Sequence, residues 1–323
     1  MKKRFFFIYF FCLQTAFCFS AVPKWLTDLE KEYPTKKFIR VIGDGKTEEE
    51  AKLAAITGIS AFFSESIESK TYAHSFKSET DFEYSSKSFI SQDSLTSTSS
   101  ELFAVHYTQS YKNKKEKKYS ICAYIDKEET FKIVSQKLSS HEHIFLQKKE
   151  LIKTENDVLK KILFLNEALS EKSEIEFLYA YSQIVAPDKT ERFNELIKLV
   201  NESKNDLLYL KRKNPVSVLS SGDFSEEIES IISEILTKNG FVVSKNSEYK
   251  INVESSFPIH IFNGIFYCTP TVFVFVESKR ETVSSKSYLL EKKSAYNEQT
   301  VIKMSLSSMK DLLHERLIKD FLK

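Results

Sequence analysis

The chain has 323 residues, and its 47 Lys and Arg nearly balance 45 Asp and Glu, a formal charge of +2. Three of the cations, Lys2, Lys3 and Arg4, fall in the first twenty residues, which hold no acid, so the rest of the chain carries −1. Without a basic surplus the composition gives no footprint for nucleic acid, and about 300 residues suffice for two ordinary cores.

Residues 1–20 have the layout of a secretory signal peptide: a basic start, an apolar run from Phe5 to Leu13, and small residues at Ser20 and Ala21. The run is too short and too interrupted by Gln14 and Thr15 for a membrane-spanning helix. Cleavage is expected after Ser20. The competing layout keeps Cys18 as an acylated first residue, but bulky Phe17 precedes it where a small residue is normal. The chain is therefore expected to be exported, to the periplasm or the outer-membrane periphery, with membrane contact only if it is lipidated. Cys122 and Cys268 remain after cleavage, each in an apolar strand-like stretch. Buried free thiols are the expectation, since cysteine packs as a small hydrophobe.

Residues 21–130 read as a lead with Pro23 and Trp25, a strand over Phe38–Ile42, a turn "GDGKT", a helix from Glu48 to about Phe63, and further strands. The turn invites a phosphate-loop reading, which the spacing defeats. A Walker loop needs a glycine five positions before its Gly-Lys-Thr, and Arg40 stands there. Thr47 and Glu50 instead have the spacing of a capping box, and Glu48, Glu49 and Glu50 would repel a phosphate from the helix start. No nucleotide is expected. The helix places Ala51, Ala55, Gly58 or Ile59, and Phe62 on one face, small enough to lie close to a sheet. Residues 66–79 and 81–92 alternate weakly and are expected as strands. "ELFAVHYTQSY" and "KYSICAYID" alternate well, joined by a solvated lysine-rich hairpin, "KNKKEKK".

Residues 131–213 keep apolar positions at three- and four-residue steps, through Val134, Leu138, Leu151, Leu159, Ile162, Leu163 and Leu169. They predict a helical hairpin or small bundle linking two mixed domains, with a break at Pro187 and a restart capped by Asp188 or Thr190. His141 and His143 lie two apart, on opposite sides of any helix, so they cannot share a metal ion there. The expectation is an exposed helix interruption near Ser139 and Ser140. His106 and His260 sit in strands and are expected to hydrogen-bond in or near a core.

Residues 214–323 begin with a strand at Val216 and Val218, then a helix opened by Asp223 or Ser225 and ended by Gly240. A strand from Phe241 to Val243 follows. "YKINVESSFPIHIF" and "IFYCTPTVFVFVES" meet at Asn263 and Gly264, a hairpin-turn pair. One or two more strands precede a closing helix with an apolar stripe through Ile302, Leu306, Met309, Leu313, Leu317 and Phe321. The fold class is α+β: two small mixed sandwiches, each a helix packed on a mainly antiparallel sheet, joined by a long helical segment.

The first 130 residues resemble the lipoprotein-twenty family of envelope domains. The matching positions are Pro23, Trp25, Gly43, Gly45, Glu50, Ala51 and Asp126, and related domains occur in periplasmic proteins of the flagellar-T type. The resemblance implies no enzymatic activity and carries over no catalytic residue. The residues themselves offer no glycine-flanked serine elbow and no carboxylate set in an apolar run. No catalytic, cofactor-binding or metal-binding residue and no cofactor is assigned. The expected role is structural or docking, toward envelope protein partners of the outer membrane or a flagellar apparatus, by strand addition or an apolar helix face. The alternatives are a periplasmic module for small ligands or glycans and, behind it, a hydrolase.

Overall fold

The computed structural model describes residues 22–78, 102–279 and 281–321. The signal sequence, Cys18 and the strand expected over 81–92 lie outside them. The protein is mixed α+β, with mainly antiparallel sheets and several helices, and it divides into two compact units. One comprises 1–65 and 99–130; the other comprises 66–98 and 131–323.

The first unit opens with two short helices, α1 (Lys24–Thr27) and α2 (Leu29–Glu32), that bury Trp25. Strand β1 (Phe38–Gly45) pairs antiparallel with β4 (Lys118–Asp126), in register from Phe38 opposite Asp126 to Gly45 opposite Tyr119. β4 also pairs with β2 (Val105–Tyr107) and β3 (Tyr111–Asn113). The lysine-rich stretch forms the exposed β3–β4 turn, where the Asn113 side chain accepts the Lys115 amide at 3.1 Å.

Helix α3 (Glu48–Ser78) lies on β1. Its start is the capping arrangement that the sequence predicts: the Glu50 amide donates to Thr47 Oγ1 at 3.2 Å, while the Glu50 carboxylate accepts the Lys46 amide at 2.7 Å. The carboxylate therefore reaches one residue further back than an ideal box requires. Ala51, Ala55, Ile59, Phe63 and Ile67 are buried, whereas Phe62 is exposed, so the buried face passes through Phe63, one residue later than the spacing suggested, and continues to Ile67. The helix continues to Ser78, which overturns the strand expected over 66–79. Weak alternation of Ser, Thr and Lys was outweighed there by propagation of a helix already nucleated and capped.

In the second unit, α4 (Lys127–Thr154), α5 (Val158–Leu169), α6 (Lys172–Val185) and α7 (Asn194–Lys213) carry the helical pattern. α4 runs unbroken past Ser139 and Ser140, contrary to the expected interruption. The Ser140 hydroxyl donates to the Gln136 carbonyl at 3.1 Å, satisfied within the helix instead of breaking it. Two short 3₁₀ turns, Pro187–Lys189 and Glu191–Phe193, follow α6. Neither Asp188 nor Thr190 caps α7, since the Thr190 hydroxyl donates to the Pro187 carbonyl inside the first turn.

A four-stranded sheet has the order β10-β9-β6-β5, with β5 (Val216–Gly222), β6 (Tyr249–Ser256), β9 (Thr271–Ser278) and β10 (Glu281–Leu289). Only the β5–β6 pair is parallel, and helix α8 (Ser225–Lys238) lies between them in the chain. Asp223 does not cap α8; its carboxylate accepts the Phe257 amide at 2.7 Å, which ties the end of β5 to the end of β6. Phe241 to Val243 contribute only a single bridge, Val243 to Val216, and not the expected strand. A second sheet, β11-β8-β7, holds β7 (Ile259–Phe262), β8 (Ile265–Cys268) and β11 (Lys293–Ala295). The β7–β8 turn has positive φ at both Asn263 (52°) and Gly264 (75°), as an Asn-Gly hairpin requires.

The closing helix α9 (Glu298–Phe321) buries Val301, Ser305, Met309, Leu313, Leu317 and Phe321. The apolar ones among these join Val272, Val274 and Val276 of β9, Ile251 and Val253 of β6, and Ile228, Ile232 and Ile235 of α8 in one core. Leu159, Ile162 and Leu165 of α5 and Leu207 of α7 belong to the same core. The helical segment is thus partly a wall of the C-terminal sheet's own core, each fully buried Leu or Ile contributing about 1.5–3 kcal/mol.

The α3–β1 contact makes a sharp prediction. A Cβ on Gly43 would stand 2.2 Å from the Ala55 nitrogen and 2.3 Å from the Ala51 carbonyl oxygen, both backbone atoms that cannot rotate away. On Gly58 it would meet Val41 Cγ1 at 2.6 Å, a side chain that can turn. Urea denaturation should show Gly43→Ala losing about 3 kcal/mol, and Gly58→Ala clearly less. Equal losses would mean that the helix is free to lift off the strand.

Candidate interaction surfaces

In the first unit the sheet face opposite α3 carries Phe38, Arg40, Ile42 and Asp44 of β1, with Tyr124 and Cys122 of β4 and His106 of β2 across from them. Tyr33 leans on this face, its ring 4.4 Å from that of Tyr124 and 5.4 Å from that of Phe38. His106 stacks on Tyr124 and places Nε2 2.9 Å from the Glu129 carboxylate. Arg40 pairs with Glu30. Burial, then the neighbouring Tyr124, pushes the Tyr33 hydroxyl up to about 12, and burial pushes the Cys122 thiol up to about 11. The result is a packed, half-buried aromatic surface with its charges paired, and an unreactive thiol beneath it.

In the second unit the sheet face away from the core carries Leu219, Asn252, Phe273, Phe275 and Leu289. Phe273 and Phe275 lie side by side with ring centroids 5.6 Å apart. Leu219, Phe273 and Leu289 are exposed, Leu289 by 74%. The β7–β8 hairpin is also exposed: Ile261 by 64% and Phe262 by 66%. His260, on the same strand, faces solvent and not the core that the sequence suggested.

The expected ligand-like motifs are used for structure. The Lys46 amide and the glutamates of "GDGKTEEE" serve the helix cap, and Gly43 and Gly45 admit the helix backbone. His141 Nδ1 lies 2.6 Å from Glu171 Oε2, joining α4 to the start of α6, while His143 is exposed on another side of the helix. Among the described residues, no three His, Cys, Asp or Glu side chains stand close enough to hold a metal ion. Cys122 and Cys268 are both free and buried. A cleft of about 550 Å³ is open and polar, lined by Tyr179, Gln183, Asn194, Lys198 and Asn201 among others, with Tyr179 donating to Asn194 at 2.6 Å. No helix among the described residues is long and apolar enough to cross a membrane.

The motif residues of the first unit have defined places. Trp25 is buried, Gly43 and Gly45 face α3, Glu50 closes the cap, Ala51 is buried, and Asp126 caps α4 by accepting the Glu128 and Glu129 amides at 2.8 and 3.0 Å. Fold and surface together define a mixed α+β protein of helix-backed sheets. Solved structures with similarity to this chain include a secreted protein of Helicobacter pylori, 13% identical, covering 89% of this chain and 99% of its own, with a TM-score of 0.41. A minor lipoprotein from Acinetobacter baumannii is 17% identical over 33% of this chain and 90% of its own, with a TM-score of 0.27. A lipoprotein from Neisseria meningitidis is 9% identical over 32% of this chain and 99% of its own, with a TM-score of 0.24. No family model matches the chain, and no curated protein matches it. Likeness at this level assigns no role to any residue here.

One buried cation gives the second unit a measurable signature. Lys211 on α7 is almost fully buried, donates to the Asn239 carbonyl at 3.2 Å and lies 4.9 Å from the Phe241 ring centroid. Burial lowers its ammonium to about 8 from an ordinary 10.5. Between those values the unfolded chain holds a proton that the folded chain has released, so stability rises with pH across the window. Denaturation of the native protein should show a gain of about 2 kcal/mol from pH 7.5 to 9.5, which Lys211→Met removes. A slope that survives the substitution would assign it to another group.

Proposed function

We propose that this is an exported, non-enzymatic protein of the cell envelope with a structural or docking role, toward components of the outer membrane or a flagellar apparatus. The reading is carried by one observation: the second unit's sheet is clad by helices on one side and leaves Leu219, Phe273 and Leu289 exposed on the other. Scattered exposed apolar residues need no explanation, but here they run diagonally across one sheet face, from Leu219 through the Phe275–Phe273 pair to Leu289 with Glu254 opposite Phe273, and such a band is the kind of surface that a partner covers. The signal-like first twenty residues and the lipoprotein-twenty resemblance support the location.

Two measurements test this. Replacing Phe273 with a photo-crosslinking phenylalanine derivative in cells should yield a discrete adduct with an envelope protein, absent when the derivative stands at exposed Lys204. A folded protein giving no adduct beyond the Lys204 control would remove the docking role. Mass spectrometry of the mature N-terminus should find Ala21 first. Acylated Cys18 would make the protein a lipoprotein, and an intact precursor kept in the cytoplasm would end the envelope reading.

A further inference from the structure

From Ser255 to Val276 the chain carries no Asp, Glu, Lys or Arg, and the β7–β8 hairpin sits in the middle of that run. The hairpin register pairs Phe262 with Ile265 and Ile261 with Phe266. Paired residues share a face and successive residues alternate, so the tip is apolar on both faces. An ordinary surface hairpin has one apolar face, turned to a core. Here Ile261 and Phe262, on opposite faces, are both about two-thirds exposed.

The surroundings narrow the partner. β11 pairs Ala295 with Phe266, so Tyr296, which is 86% exposed, follows on the side of Ile265 and the turn. Further from the tip, Lys292 Nζ lies 4.0 Å from the Tyr267 ring centroid, and Lys293, opposite Cys268, meets Glu291 at 3.4 Å. The order from the tip is thus aliphatic and Phe side chains, then Tyr, then cations with one acid beside them. A protein laid on one face or along the edge of β7 would leave the other face wet. A lipid interface surrounds a tip, accepts both faces, and grades from hydrocarbon to phosphate in the same order. Two residue pairs span about 7 Å, within the depth of about 5–10 Å that interfacial segments reach.

We propose that the β7–β8 hairpin is a membrane-contact tip: Ile261, Phe262, Ile265 and Phe266 enter the interfacial layer of a lipid bilayer together with Tyr296, with Tyr267 behind them at the headgroups and Lys292 facing lipid phosphate. The contact needs no acyl chain and uses residues separate from the Phe273 face, so its test stands apart from that of the docking role.

Exported protein, purified without detergent, is mixed with vesicles of phosphatidylethanolamine and phosphatidylglycerol, and with vesicles of phosphatidylcholine. Native protein should float with both, more strongly with the first. Phe262→Ser should float about tenfold more weakly, and Leu53→Ser, at an exposed apolar site on α3 away from the tip, should float as native. The chain has a single tryptophan, Trp25. In a Trp25→Phe background, Phe262→Trp should shift its emission to the blue on adding vesicles and be quenched by brominated lipid. Thermal melts confirm that each variant is folded, and the Phe262→Ser comparison stands without the Trp25 change. Native flotation by folded Phe262→Ser overturns the proposal and points to an acyl anchor. A blue shift produced only by lipid-free envelope protein overturns it in favour of a protein socket, and no shift with either overturns it outright.

Discussion

The first unit depends on a contact in which backbone meets backbone. α3 can lie on β1 only because Gly43 and Gly45 offer no side chain and Ala51 and Ala55 offer the smallest. Such closeness leaves no room for adjustment, so the helix must begin at a fixed point along the strand. Thr47 and Glu50 supply that point by consuming the orphan amides at the helix start. Once the register is set, the opposite face of the sheet receives Phe38, Arg40 and Tyr124, and Tyr33 closes over them. A motif that looks made for phosphate is thereby spent on geometry.

The second unit is held differently, by bulk. Its sheet turns a layer of valines and isoleucines inward, and three sources of helix cover it: α8 from within the sheet's own connection, α9 from the chain end, and α5 with α7 from the segment before it. Polar pins then fix the helices in place. Lys148 meets Glu167 at 2.6 Å and Lys149 meets Ser203 at 2.9 Å, joining α4 to α5 and α7, while Tyr288 donates to Asp320 at 2.7 Å to hold α9 on β10. Exposed apolar side chains remain on the sheet's far side, on the β7–β8 tip, and along the helices at Ile144, Leu146 and Leu151 of α4 and Tyr209 of α7.

What the sequence made legible follows from the range of the forces involved. The Thr47 cap, the Asn263–Gly264 turn and the later part of the α9 stripe are set within a few residues and stand where spacing placed them, while the first turns of α9 bury Val301 and Ser305 in place of Ile302 and Leu306. The errors fall where a local preference met a longer-range one. Residues 66–78 alternate like a weak strand but extend a helix, and Ser139 and Ser140 look like a break but lie inside α4, where the Ser140 hydroxyl is satisfied by the Gln136 carbonyl. Asp223 has the chemistry of a cap and is claimed by the Phe257 amide, a residue far along the chain. The exposed tip was readable in part, since an uncharged run is visible in the letters. That both its faces would be wet was not, because alternation says which residues share a face and nothing about what covers it.

The two buried cysteines carry a consequence for biogenesis. Cys122 and Cys268 sit unpaired at zero exposure. Because neither described core is closed by a cross-link, folding of each requires no thiol oxidation, and burial shields both sulfurs in the native state. The chain's vulnerable interval is the one before collapse, when both sulfurs are still accessible to wrong pairing.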